Sequence, residues 1–93
     1  MFYTIQAIKD ANKAAGYHFF DPDTLRFFDS RILGGVIGDG YFVTSERYDY
    51  DSPRLYTVRR ANADGSIDTV GEFQQFKTAH AARTYAKKIA QSN

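Results

Sequence analysis

The stretch Arg31-Ile32-Leu33-Gly34-Gly35-Val36-Ile37-Gly38-Asp39-Gly40-Tyr41-Phe42-Val43-Thr44-Ser45-Glu46-Arg47 carries the pattern on which the fold turns. Two runs rich in β-branched and aromatic residues flank Gly38-Asp39-Gly40, and an Asp-Gly pair tolerates the positive φ angles of a primed hairpin turn. The reading is an antiparallel hairpin, with Gly34-Gly35 marking a bulge or a close backbone approach in its first strand. In the second strand Tyr41, Val43 and Ser45 face one way and Phe42, Thr44 and Glu46 the other.

Downstream, Leu55 to Ala61 alternates Leu55, Thr57 and Arg59 against Tyr56, Val58 and Arg60, Asn62-Ala63-Asp64-Gly65 turns the chain, and Ser66 to Glu72 reads as a fourth strand. Thr78 suits the N-cap of a helix running to about Gln91, with Ala82, Tyr85, Ala86 and Ile89 as its apolar stripe and Arg83, Lys87 and Lys88 pointing away. Upstream, Ile5, Ile8, Ala11 or Asn12, and Ala15 recur at helical spacing, and Gly16 supplies a left-handed stop. Asp21-Pro22-Asp23 predicts a short helix from Pro22 to about Phe28, whose Leu25 and Phe28, with Phe27 nearby, fill core space. The expected fold class is α+β: an N-terminal helix, a short helix, an antiparallel sheet of three to four strands in two hairpins, and a C-terminal helix. One domain is expected over residues 1–93, because a second core would leave too little apolar surface in either half.

Composition narrows the function classes. With 43% hydrophobic residues the chain is expected to fold unaided, and with no cysteine it has neither disulfides nor a thiolate metal site. No apolar run approaches the ~18 residues of a membrane span, and no basic, apolar leader opens the chain, so a soluble cytoplasmic protein is expected. The net charge of +1 is unevenly laid out. Residues 21–51 carry a balance of −4 and residues 52–93 a balance of +4.

The motifs that imitate enzymes fail on their surroundings. Phe19-Phe20-Asp21-Pro22-Asp23-Thr24-Leu25 with Gly38-Asp39 echoes an aspartate-phosphatase motif, but the glycine before the threonine is missing and the length cannot supply a Rossmann-like sheet. Asp49-Tyr50-Asp51-Ser52 lacks the glycine and the downstream glutamate of a calcium loop. His18 and His80 are far apart without metal-ligand spacing, and His18 between aromatics reads as a partly buried packing residue. No Gly-x-Ser-x-Gly elbow or phosphate-binding glycine loop is present. The expectation is a non-enzymatic protein with no cofactor.

Two surfaces remain as candidates. The segment Tyr48, Asp49, Tyr50, Asp51 to Arg54 alternates the residues enriched in binding hot spots with carboxylates, which suits a protein interface. Alternatively, Tyr41, Tyr56, Arg59 and Arg60 put stacking and cationic groups on adjacent strands, which suits single-stranded nucleic acid. The near-neutral charge favours the protein partner. Exposed sheet edges also permit self-association.

Tyr17 to Arg31, followed by Gly40 to Glu46, Tyr56 to Arg59 and Gly71-Glu72-Phe73, resembles a group of small uncharacterised proteins of bacteriophages, prophages and other mobile elements, over about residues 4–90. The resemblance implies a bacterial cytoplasmic setting and an accessory role. Binding and inhibiting a host protein or a defence nucleoprotein complex, of anti-CRISPR or anti-restriction type, is the activity expected by analogy.

Overall fold

A computed structural model describes residues 2–27 and 29–92. The chain runs α1 (Ile5–Ala14), α2 (Pro22–Arg26), β1 (Arg31–Ile37), β2 (Tyr41–Glu46), β3 (Leu55–Ala61), β4 (Ile67–Val70) and α3 (Ala79–Ser92). The four strands form one antiparallel meander in the order β1-β2-β3-β4. The α+β class and the element order are those read from the sequence.

Each helix starts and stops for a local reason. The Thr4 hydroxyl accepts from the Ala7 amide at 3.1 Å, and Gly16 at φ +86° ends α1. The Thr78 hydroxyl likewise accepts from the Ala81 amide at the start of α3. Helix α2 is shorter than expected, and the side chain of its N-cap Asp21 makes no capping bond. That carboxylate instead meets His18 Nδ1 at 2.9 Å, and His18 is exposed and hydrogen-bonded rather than packed among the aromatics. Leu25 is half-buried but Phe27 is 75% exposed, and Phe28 lies outside the described residues.

Helices cover both faces of the sheet. On one face Ala82 and Ala86 of α3 sit against Ile37, Tyr41, Val43 and Val58, the small side chains letting the helix approach closely. On the other, Ile8 of α1 meets Phe42 and Ala61, joined by Phe19 and Phe20. Every residue of β2 is consequently buried, polar ones included.

Both irregularities of the sheet have a positional effect. Leu33 pairs with Val43 and Ile37 with Tyr41, so β1 carries two more residues than β2 between these pairs. An excess of two preserves the alternation and returns Ile37 to the face of Leu33. Gly34, at φ +67°, is also the expected close approach, since a Cβ there would meet the Arg83 guanidinium at 2.7 Å. That contact half-buries Arg83 over β1, so it does not simply point away.

The expected strand Ser66–Glu72 is corrected to four residues. Gly71, at φ +78°, turns the chain out of the ladder after Val70, and pairing with β3 resumes at Phe76 opposite Tyr56. The intervening excursion carries Phe73 outward.

The β3–β4 turn is pinned to α1. Buried Asn12 donates to the Gly65 carbonyl at 2.8 Å and accepts from the Phe19 amide at 3.2 Å. A Cβ on Gly65, which sits at φ +89°, would lie 2.5 Å from the Ala11 carbonyl oxygen. Gly65→Ala is therefore expected to destabilise the fold by at least ~1–2 kcal/mol from the left-handed backbone alone, read as a lowered urea midpoint.

Candidate functional site, an aromatic cleft over a buried ion pair

The last three residues of β2 are polar and buried, and each face of the strand builds a different cluster on them. On the α1 face, Glu46 is 1% exposed and Arg59 reaches it from β3, Nη2 to Oε1 at 3.1 Å, with the Arg59 side chain 11% exposed. Thr44 donates its hydroxyl to Glu46 Oε1 and accepts from Arg59 Nε, while Thr57 donates to Oε2 at 3.0 Å. Arg59 Nη1 donates to the Thr69 hydroxyl at 2.6 Å. Among the described residues no buried side-chain polar atom lacks a partner, so this desolvated pair meets the condition under which such pairs persist.

Arg59 of this pair lines an open cleft of about 610 Å³, within the usual ~300–1,000 Å³ of ligand pockets. Phe19, Leu25, Phe27 and Phe73 make its apolar walls, and Asp23, Thr24 and Ser30 contribute polar groups. The Arg59 guanidinium lies 5.3 Å from the Phe19 ring centre and 5.4 Å from that of Phe73, a cation–π contact on each. Gln74 holds Phe73 there. Although not glycine it adopts φ +58°, fixed by its amide donating to Thr57 Oγ1 at 2.8 Å and its side chain to the Glu46 carbonyl at 3.3 Å.

On the other face, Arg54 donates to Ser45 Oγ at 2.9 Å and to Asp29 Oδ2 at 2.5 Å, and Arg47 Nε donates to the same oxygen at 2.8 Å. Partial burial pushes the Asp29 pKa up, but the Arg47 hydrogen bond and the charges of Arg54, Arg47 and Arg31 outweigh it and hold the carboxyl below its ordinary range. Asp49 and Asp64 are lowered too, chiefly by the hydroxyls of Ser52 and Ser66. A pKa lower folded than unfolded contributes stability above the unfolded value, and that contribution disappears as pH falls through the folded value. The stability contributed by these carboxylates should thus be present above about pH 4 and decline below it, and Asp29→Asn should flatten that decline in a melting series.

The residues singled out in the sequence separate. Tyr48 and Tyr50 do project, Tyr50 being 88% exposed with the Arg47 guanidinium over its ring at 4.7 Å. Asp49 is exposed and closes its own loop, accepting from the Ser52 hydroxyl and from the amides of Asp51 and Ser52, and Arg54 is committed to Asp29 and Ser45. Asp51 is exposed. The shared sheet face expected for Tyr41, Tyr56, Arg59 and Arg60 is corrected by the register: Tyr41 and Tyr56 pack in the core under α3, while Arg59 opens on the opposite face. Only Arg60 is exposed, with its guanidinium 5.1 Å from the Tyr41 ring centre.

The cleft itself escaped the sequence reading, although Glu46, Thr44, Thr57 and Arg59 share one alternation class. Phe27 lines both this cleft and a second cavity of about 220 Å³ that includes Arg47, Tyr48 and Tyr50. Residues 4–87 match the family of unknown function DUF7447. The chain belongs to that family. No curated protein and no solved structure matches it. Membership in DUF7447 thus brings no activity with it, and the chemistry must be taken from the cleft. Among its described residues, no group of His, Asp and Glu is placed to hold a metal ion, and no helix is long and apolar enough to cross a membrane.

Proposed function

We propose that this DUF7447 chain is a non-enzymatic binding protein of a bacteriophage or mobile element, which occupies a surface on a host protein and inhibits it. The carrying observation is the aromatic rim: Phe27, Tyr48, Tyr50 and Phe73 are all exposed along two cavities that share Phe27. Exposed aromatics gathered on one side are disfavoured in water unless a partner covers them, and aromatic residues with neighbouring arginines are typical interface anchors. The Glu46–Arg59 network, in which each buried side-chain polar atom has a partner, supports a rigid floor rather than a catalytic pair. The phage setting rests on the sequence resemblance, and the anti-CRISPR or anti-restriction role is the analogy that goes with it. The nucleic-acid alternative lacks an open basic sheet face, because two of its four residues lie under α3.

Affinity capture from nuclease-treated bacterial lysate tests this reading. The wild-type chain should retain a protein at micromolar concentration, and Phe27→Ser with Tyr50→Ser should weaken retention about 10-fold or more, as loss of a hot spot does. Retention that disappears with nuclease, or that ignores both substitutions, would count against it.

A further inference from the structure

The shape and charge of the cleft define its occupant more narrowly. We infer that it receives one large apolar side chain of an extended partner segment whose neighbouring residue is Lys or Arg; this rests on the binding reading above.

The walls are three phenylalanines and a leucine, so the group that enters must be apolar. The formal charges lining the cleft are Asp23 and Arg59, and Glu46 directly beneath Arg59 cancels the latter. With Arg26 3.9 Å from Asp23 the formal charges sum to zero, and the charge that the cleft presents to a ligand is the exposed Asp23 carboxylate, which disfavours a phosphate or carboxylate beside it and favours a cation. Asp23 is where a cation would sit: its side chain is 98% exposed, and its Arg26 contact is a loose 3.9 Å. Arg59 spends three of its five N–H groups on Thr44, Thr69 and Glu46. Among the described residues one N–H on Nη1 and one on Nη2 meet no acceptor, which suits a neutral group such as a peptide carbonyl. The continuation past Phe27 to Tyr48 and Tyr50 makes the surface longer than a compact small molecule needs. A polypeptide satisfies all four features together: apolar side chain, adjacent cation, backbone carbonyl and length.

Short Gly/Ser peptides bearing a central Phe-Lys, Phe-Gln or Phe-Glu, titrated into the isotope-labelled protein and followed by amide chemical shifts, test this. The Phe-Lys peptide should shift Asp23 to Phe27, Arg59 and Phe73 and bind about 2–5-fold more tightly than Phe-Glu, the worth of one exposed ion pair. Asp23→Asn should bring that ratio toward one, and Phe27→Ser should weaken all three peptides. Equal or tighter binding of Phe-Glu, shifts confined elsewhere, competition by an oligothymidine for the same amides, or no binding at about 1 mM would each overturn the inference. If lysate capture depends on Phe27 and Tyr50 while these peptides fail, the occupant is wrong and the binding reading stands. If capture ignores both residues, the reading itself fails.

Discussion

Arg59→Ala is expected to lower the melting temperature by roughly 15–30 °C, the consequence of a ~3–5 kcal/mol loss in a domain of this size. The magnitude follows from what remains rather than from what is removed. Glu46, 1% exposed in the intact protein, would keep its two threonine hydroxyls but lose its only countercharge within the network. A carboxylate so placed must either stay ionised without compensation or take up a proton, and both cost stability. The double variant Glu46→Leu with Arg59→Met should recover more than half of the loss, because replacing both members of a buried pair by apolar groups is often neutral. Thermal unfolding followed by circular dichroism decides the matter. Additive losses in the double variant would mean that the two side chains contribute independently.

Phe42→Ala should cost a comparable ~3–5 kcal/mol, a large share of the ~5–15 kcal/mol available to a whole domain. Its ring is fully buried, packs with Ile8 and Ala61, and lies 6.3 Å from the Phe19 ring and 6.0 Å from that of Phe20. Both neighbours belong to the segment between α1 and α2, so the cavity would also loosen the Phe19 wall of the cleft. Guanidinium unfolding should show a lower midpoint with little change in slope. Phe27→Ser provides the contrast, since a 75% exposed ring should change stability by no more than about 0.5 kcal/mol. If Phe27→Ser proved as destabilising as Phe42→Ala, the rim would be part of the core and not a binding surface.

The elements were legible because their signals are local. The Gly38-Asp39-Gly40 turn, the Gly16 stop, the Thr78 cap and the Gly34-Gly35 bulge each depend on residues a few positions apart. The site was not legible because it depends on register and on layers. Glu46 and Arg59 become neighbours only once β2 and β3 pair with Phe42 opposite Arg59. Tyr41 and Tyr56 read as surface stacking groups until α3 is laid over them. Phe27 and Phe73 look like core residues in a one-dimensional pattern. One is turned out at the end of a five-residue helix and the other by an excursion at Gly71, and neither outcome has a periodicity to read. The uneven charge layout was legible, and the fold gives it spatial meaning in part. Lys87 and Lys88 are exposed on α3, against the sheet face opposite the cleft that Asp23 lines.

The proposed binding role is tested most directly by mapping whatever protein is captured onto the chain through amide chemical-shift changes in the isotope-labelled complex. The account requires the changes to fall on Asp23 to Phe27, Tyr48 to Asp51 and Phe73. Changes confined to α3 and its exposed lysines, with the aromatic rim unaffected, would contradict it.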